Sequence, residues 1–174
     1  MAIHLSQTHQ DTITEAAVAA YPKECCGLVL GQITPPGAGQ NDDDQRHVSD
    51  VISLANAWIP AVTEYTDPDG SETRSLGQWD RYWIDPVAML AVQRSARQRN
   101  LAIVGVYHSH PDYPAVPSEC DRRLAWPVYS YLIVSVRAGV AVDVQSWRLD
   151  QGQQFQSEPI KILDTSVNKA PFLP

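Results

Sequence analysis

The sequence lacks any hydrophobic run that could cross a membrane, because no window approaches the roughly 18 consecutive apolar residues that a transmembrane helix needs. Its first residues, Met-Ala-Ile-His-Leu-Ser-Gln, contain neither a basic start nor an apolar stretch, so we expect no signal peptide. Both absences argue against a membrane-bound or a secreted protein.

Cysteine is scarce as well. The chain has only three cysteines, Cys25, Cys26 and Cys120, and two of them are adjacent. This is a poor framework for disulfides and is typical of a reducing compartment. Lysine and arginine form no cluster, and the formal net charge is −7, which argues against a nucleic-acid partner. We therefore expect a cytoplasmic protein.

The overall composition, with 44% hydrophobic and 19% charged residues, is that of a globular protein. A length of 174 residues corresponds to one domain. Segments with strand and helix patterns mix without strict alternation, which favours an α/β or α+β fold with one central, partly antiparallel sheet and helices on its faces.

The hydrophobic periodicity and the turn-forming residues place the individual elements. Ser6, Asp85 and Ser118 are the expected N-caps of three helices. We predict strands at 3–5, 26–33, 47–55, 81–84, 101–107, 129–136, 140–149 and 155–162, helices at 6–20, 86–100 and 118–125, and irregular connections at 34–46 and 56–78.

Side chains that can bind a metal or take part in catalysis are concentrated in two segments, His108-Ser109-His110-Pro111 and Ser118-Glu119-Cys120-Asp121. On an extended chain His108 and His110 point to the same side, as a pair of zinc ligands must. Asp121 lies one helical turn after Ser118 and can complete a His₂Asp set. Three protein ligands leave a fourth position free, which is typical of catalytic zinc. Water bound there can have a pKa near 7.

The same residues can also be explained without a metal site. A lone His-x-His pair is often bonded to backbone at the end of a strand, Ser118 alone is a helix cap, and Asp121 alone is a first-turn carboxylate. Spacing by itself leaves these alternatives open.

Other candidate residues carry weaker signals. We expect Cys25 and Cys26 to be buried in a strand and Cys120 to face the core beside Asp121. His4, His9 and His47 belong to no pattern of partner residues in the sequence, and we expect them to be surface or loop residues. Five aromatic residues are candidates to line a groove for an extended peptide, although core packing is as good an explanation for the last two. They are Trp58, Tyr65, Trp79, Tyr82 and Trp83.

The pattern His-x-His, seven residues, Ser-x-x-Asp, with a glutamate upstream, resembles the signature of the JAMM (MPN-plus, JAB1/MPN/Mov34-type) zinc metallopeptidases without a departure. Residues 21–31 and 105–112 are similar to prokaryotic stand-alone members, including the sulfur-carrier-protein–cysteine peptidases. The resemblance extends from the first helix to about residue 160.

This resemblance implies the MPN (cytidine deaminase-like) fold, a single curved, mostly antiparallel or mixed sheet flanked by helices, over residues 1–163, with a tail at 164–174. It implies one zinc ion per chain, held by His108, His110 and Asp121. Glu24 would act as general acid/base through the zinc-bound water. Ser118 would help to stabilise the oxyanion.

The resemblance also implies a substrate, the C-terminal Gly-Gly tail of a small β-grasp ubiquitin-like or sulfur-carrier protein, which can add to a sheet edge as a strand. A stand-alone member of this kind would release an amino acid such as cysteine from its carrier. The alternative is a deconjugase or precursor-processing enzyme of a bacterial ubiquitin-like system. A non-catalytic MPN scaffold is disfavoured because all ligands are intact, and a zinc deaminase is disfavoured because a Cys-x-x-Cys pair is missing.

Overall fold

In the computed structural model of the protein, which describes residues 1–37, 43–59 and 77–163, strands and helices follow the hydrophobic pattern of the sequence. The described residues form eight strands and three helices. The strands are β1 (Ala2–Ser6), β2 (Cys26–Thr34), β3 (Gln45–Leu54), β4 (Ala102–Pro111), β5 (Ser130–Arg137), β6 (Val140–Leu149), β7 (Phe155–Glu158) and β8 (Ile160–Leu163), and the helices are α1 (Gln7–Ala20), α2 (Pro86–Gln98) and α3 (Glu119–Leu124).

The helices begin at the predicted caps. The side chains of Ser6, Asp85 and Ser118 each accept a hydrogen bond from a backbone N–H of the first turn. Pro86 occupies the first position of α2, where its missing N–H costs nothing. All three predicted helix starts are therefore confirmed.

The strands form one mixed sheet in the order β7-β6-β5-β4-β2-β3-β1-β8. The pairs β1/β3, β1/β8 and β4/β5 are parallel, and the others are antiparallel. Only Pro159 separates β7 from β8, which stand at opposite ends of this order. The sheet must therefore curve until its two edges meet, and the N–H of Ile3 donates to the carbonyl of Pro159 there (3.0 Å). The predicted curved, mixed sheet is confirmed.

Two hydrophobic cores cover the two faces of this sheet. On one face, Ile13 and Ala17 of α1 pack against Leu5, Val29 and other buried apolar side chains. On the other face, Ala96 of α2 packs in a cluster with neighbouring strand residues. These are Leu28, Leu30, Ile103, Val106 and Tyr131.

Two predicted strands are wrong in detail. Residues 81–84 do not form a strand, because the hydrogen bonds that join them to the chain after β3 are single bonds and do not form a ladder. The N–H of Ala57 donates to Trp83 O (2.9 Å), and the N–H of Trp83 donates to the side chain of Asn56 (3.1 Å). The predicted strand 155–162 is two strands, since Pro159 has no N–H to continue the ladder.

The predicted connections are only partly described. The connection at 34–46 is shorter than expected, because Thr34 ends β2 and Gln45 begins β3, and residues 38–42 lie outside the described residues. Of the connection at 56–78, residues 60–76 lie outside them, as does the tail 164–174. Within the described ranges, no helix has the length and apolar character to span a membrane.

Candidate metal centre

The histidine pair lies inside a central strand, not after it. β4 extends beyond Tyr107 to Pro111. Val106, His108 and His110 occupy every second position of this strand, so their side chains lie on the same face of the sheet. His108 pairs with Cys26 of β2 on one side and with Ile133 of β5 on the other. Its side chain is completely buried, and that of His110 is nearly so. The strand pairing therefore fixes where both imidazoles point.

Asp121 is held by the helix cap that precedes it. The N–H and the hydroxyl of Ser118 both donate to Asp121 Oδ2, at 2.7 and 2.6 Å, and the N–H of Asp121 donates back to Ser118 Oγ at 3.1 Å. This is a capping box in which an aspartate takes the acidic position. The cap thus turns the Asp121 carboxylate toward β4.

The three side chains converge. Asp121 Oδ1 lies 3.3 Å from His108 Nε2, Asp121 Oδ2 lies 3.5 Å from His110 Nε2, and the two Nε2 atoms are 3.0 Å apart. Bonds of 2.0–2.1 Å to a tetrahedral zinc ion place neighbouring ligand atoms about 3.3 Å apart. Each of the three distances is close to this spacing, although the two histidines approach different oxygens of Asp121, and the three residues form a group able to hold a metal.

The surroundings of the three side chains also suit a metal. His110 Nδ1 lies 2.8 Å from the carbonyl of Pro114, which can only accept, so Nδ1 is the donor of this hydrogen bond and Nε2 is the nitrogen turned toward Asp121. Burial lowers the pKa of His108 and favours the neutral ring. Burial opposes ionisation of Asp121, but the adjacent His108 and His110 hold the pKa of its carboxyl well below the usual value.

His108 is positioned differently from His110. Its Nδ1 atom is buried and has no hydrogen-bond partner among the described residues. The ring instead stacks on Tyr82, with centroids 4.4 Å apart and an interplanar angle of 22°. Packing, not a hydrogen bond, orients this imidazole.

Glu24 reaches the centre through the pairing of β2 with β4. The N–H of Cys25 donates to Ser109 Oγ (2.9 Å), which places the residue before it beside the histidine strand. Only 6% of Glu24 is exposed. Burial raises the pKa of its carboxyl well above the usual range, with a further contribution from the charge of Asp121. Glu24 is therefore a buried group that can exchange a proton nearer neutral pH than an ordinary glutamate.

The two ends of the long connection hold Glu24. Its N–H donates to Gln78 O (2.6 Å), and its carbonyl accepts from Asn56 Nδ2 (3.0 Å). Asn56 also donates to Arg81 O and accepts from the N–H groups of Trp58 and Trp83. Sequence reasoning missed Asn56 and Gln78, because an amide in a Pro- and Gly-rich stretch gives no signal of its own.

A cavity of about 430 Å³ adjoins the centre, and Glu24, Ser118 and Asp121 form part of its wall. All five residues predicted for the site thus come together, three as a metal-holding group and the other two beside it. The arrangement can hold a divalent cation next to a buried proton acceptor.

The weaker candidates have mixed outcomes. Cys25 and Cys26 are buried as predicted, but Cys120 is only half-buried and lines the cavity, so its assignment to the core is wrong. His4 and His47 are half-buried residues of β1 and β3 that stack on each other at 4.7 Å, so the prediction that they are surface or loop residues is wrong.

His9 is a half-buried residue of α1, not a loop residue, and its Nδ1 accepts from the N–H of Ser6 (3.3 Å). Among the aromatic candidates, Tyr82 and Trp83 line the cavity, Trp58 is buried and Trp79 is exposed. Tyr65 lies outside the described residues.

The chain is similar to a known family and to proteins with described activities. A family model described as prokaryotic homologs of the JAB domain matches residues 6–150. A probable TtuB-protein conjugate cleaving protease of Thermus thermophilus is 34% identical over 151 residues, 86% of this chain and 74% of that protein. A desampylase of Haloferax volcanii is 31% identical over 123 residues, 70% of this chain and 68% of that protein. A CysO-cysteine peptidase of Mycobacterium tuberculosis is 28% identical over 145 residues, 83% of this chain and 80% of that protein.

Solved structures agree with the fold. The solution structure of protein DSY2949 from Desulfitobacterium hafniense superimposes with a TM-score of 0.69 at 27% identity and covers 93% of both chains. A JAB1/MPN domain protein of Archaeoglobus fulgidus, AF2198, has a TM-score of 0.50 at 16% identity, covering 94% of this chain and 98% of that one. The predicted MPN fold is confirmed.

Proposed function

This chain belongs to the family of prokaryotic homologs of the JAB domain, and we propose that it is a zinc-dependent peptidase that cleaves after the C-terminal Gly-Gly tail of a small β-grasp ubiquitin-like or sulfur-carrier protein. The observation that carries the proposal is the convergence of His108, His110 and Asp121 beside the buried Glu24. In this proposal the peptidase domain spans residues 1–163, followed by a tail at 164–174. We also propose a cytoplasmic location, because the three cysteines, two of them adjacent, are a poor framework for disulfides.

One zinc ion per chain would be held by His108 Nε2, His110 Nε2 and a carboxylate oxygen of Asp121. Bound there, zinc supplies Lewis-acid chemistry that polarises a carbonyl and acidifies water. The spacing of the donor atoms and the lowered pKa of His108 support this assignment.

Glu24 would move the proton. In the hydrolysis, water adds to the carbonyl carbon of the last glycine, the C–N bond breaks, and the departing nitrogen must gain a proton. Glu24 would take a proton from the attacking water and deliver it to the amine. Its burial in the cavity wall and its raised pKa support this role, since a proton can be held there between the two transfers.

Ser118 would support the oxyanion. Its hydroxyl donates to Asp121 Oδ2 in the structure, so it must turn away to donate to a substrate oxygen. The N–H of Ser118 still donates to the same carboxylate oxygen, which keeps Asp121 in place when the hydroxyl turns. The predicted role is thus compatible with the capping box.

Two kinds of leaving group follow from the relatives. The name of the CysO-cysteine peptidase describes the release of cysteine from a carrier, and that of the TtuB-protein conjugate cleaving protease describes the separation of a carrier from a protein. We favour release of an amino acid from a sulfur carrier. A deconjugase or precursor-processing enzyme is the second candidate.

Intact-mass analysis distinguishes these candidates. The purified protein is incubated with a panel of β-grasp carriers that bear either one extra C-terminal residue or an isopeptide-linked lysine. We expect mass loss from the first group, which stops after treatment with a strong chelator and returns with zinc. The variant His108→Ala should lose both zinc and cleavage. Cleavage that persists without metal would contradict the proposal, and cleavage of the isopeptide group alone would support the second candidate.

A further inference from the structure

The segment 113–126 carries two residues of the site, Ser118 and Asp121, but it contains little regular structure of its own. Its helix, α3, has only six residues. A helix this short is not stable without tertiary contacts. The position of the Asp121 carboxylate against the histidine pair therefore depends on the contacts that hold the two ends of the segment.

Side chains of three strands hold the first end of this segment. The three consecutive carbonyls of residues 113–115 each accept one hydrogen bond, in this order from Ser135 Oγ of β5 (2.6 Å), His110 Nδ1 of β4 (2.8 Å) and Trp147 Nε1 of β6 (2.9 Å). Ala115, which accepts from Trp147, is 1% exposed. Its carbonyl would have little access to water without the indole N–H, so loss of this donor is costly.

One hydroxyl holds the other end. Tyr131 Oη of β5 accepts from the N–H of Trp126 (2.6 Å) and donates to the carbonyl of the same residue (3.3 Å). Trp126 follows directly after Ala125, the C-cap of α3. Tyr131 is buried, and burial raises the pKa of its hydroxyl to about 12, so this group stays protonated at neutral pH and can donate.

The residues that hold the two ends are neighbours in the sheet. Tyr131 opposes Trp147 in the antiparallel ladder of β5 and β6. Directly opposite residues of a ladder have their side chains on the same face. This is the face of the metal centre, because Tyr131 also pairs with Val106 of β4, two positions before His108. A single cross-strand pair thus holds both ends of the segment that carries Asp121.

We propose that Trp147 and Tyr131 are positioning residues of the metal centre, which hold the segment 113–126 so that Asp121 faces His108 and His110. The assignment rests on the zinc centre of the proposed function. Asp121 oxygens lie 3.3 and 3.5 Å from the histidine nitrogens, and a site of this kind must keep its geometry within about 0.5 Å. Loss of either hydrogen-bonding group frees one end of the segment and should disturb that geometry.

Zinc affinity provides the first test. Trp147→Phe and Tyr131→Phe each remove one polar group and keep an aromatic ring in the apolar cluster of this face. We expect each variant to bind zinc about tenfold more weakly, the lower limit of the usual effect of losing a group that orients a ligand. Competition with a chromophoric chelator measures the affinity. Either variant is a sufficient test if the other does not fold.

Tyr107→Phe is the matched control. It removes the hydrogen bond from Tyr107 Oη to Ser53 Oγ (2.7 Å), and Tyr107 packs in the core on the opposite face of the sheet. This variant should lower the free energy of unfolding and leave the zinc affinity unchanged. If it weakens zinc binding as much as the other two variants, the loss reflects general destabilisation and the inference is overturned.

Hydrogen exchange of the metal-free protein shows whether the effect passes through the segment. We expect peptides from residues 113–126 to exchange at least about fivefold faster in Trp147→Phe and Tyr131→Phe than in the wild type, as the loss of one hydrogen bond implies. Peptides from α1 should not change. Faster exchange with unchanged zinc affinity, or weaker zinc binding with unchanged exchange, would overturn the inference, because the segment would then not connect this pair to Asp121.

Two results would separate this inference from the proposed function. A wild type that binds zinc and cleaves a carrier, with both variants binding zinc equally well, would overturn the inference alone. A wild type that binds zinc, with the expected losses in Trp147→Phe and Tyr131→Phe, but that cleaves no carrier of the panel, would overturn the proposed function and leave the positioning role supported.

Discussion

His108 and His110 reach the same point by different means. The proton on His110 Nδ1 is fixed by the carbonyl of Pro114, whereas His108 Nδ1 has no hydrogen-bond partner within the described part of the chain and the ring lies against Tyr82. Histidine ligands are usually oriented by a hydrogen bond from their second nitrogen. In this protein an aromatic ring takes over that role for one ligand.

The stacking of Tyr82 on His108 gives a prediction at this scale. Tyr82→Leu removes the flat surface that holds the imidazole and should weaken zinc binding by roughly 10- to 100-fold, the usual effect of losing a group that orients a ligand. Tyr82→Phe keeps the ring and should bind zinc like the wild type. Competition with a chromophoric chelator measures both affinities. If both variants bind zinc equally weakly, the effect comes from the loss of the hydroxyl, and the argument that ring packing orients His108 is contradicted.

Asn56 connects the elements around Glu24. Its side chain makes hydrogen bonds to the carbonyls of Glu24 and Arg81 and to the N–H groups of Trp58 and Trp83. The chain after β3 and the chain before α2 are thereby joined at one residue. The position of the proposed acid/base depends on this junction as well as on the β2–β4 pairing.

Replacing Asn56 by alanine should therefore affect both stability and activity. Four side-chain hydrogen bonds are lost, and since the residue is only half-buried we expect a decrease of about 2 kcal/mol in the free energy of unfolding. Turnover should fall while zinc content stays unchanged. Urea unfolding and zinc analysis measure these quantities. Gln98→Ala, which removes an exposed amide at the end of α2, is the control and should change neither.

At the scale of the whole molecule, a buried polar cluster stabilises the curve of the sheet. Arg46 in β3 is 1% exposed, and its Nη1 donates to the carbonyl of Val104 in β4 (2.7 Å) and to Ser130 Oγ in β5 (3.1 Å). Asp44 pairs with both Arg46 and Arg148 of β6. Burial lowers the pKa of Arg46, and the neighbouring acidic groups partly restore it. The cluster connects strands that are far apart in the sequence.

Arg46→Ala should destabilise the protein by about 3 kcal/mol, because it leaves the carbonyl of Val104 without its buried donor and removes one of the two cations that pair with Asp44. Arg94→Ala, at an exposed position of α2, should have little effect. Chemical denaturation checks both values. A loss below 1 kcal/mol at Arg46 would show that Arg148 suffices for Asp44.

The sequence predicts those parts of the fold that depend on local pattern. The apolar run of β4, the three helix caps and the pairing of His108-x-His110 with Asp121 are all local, and each has its predicted place. Glu24 could not be found from spacing, since it meets the histidines only through the register of β2 against β4. Asn56 and Tyr82 lie in irregular chain, where no periodicity indicates a partner. Arg46 falls in the predicted connection at 34–46, because a buried arginine has no sequence signature.

The central claim, that Glu24 performs the proton transfer at a zinc centre, is tested most directly by turnover of Glu24→Gln at equal zinc content. The control is Glu15→Gln, the same substitution at an exposed position of α1. We expect Glu24→Gln to keep about one zinc per chain and to lose at least about 100-fold in kcat, the usual contribution of a general acid/base, while Glu15→Gln behaves like the wild type. Zinc-loaded Glu24→Gln that cleaves the carrier within a few-fold of the wild-type rate would contradict the account.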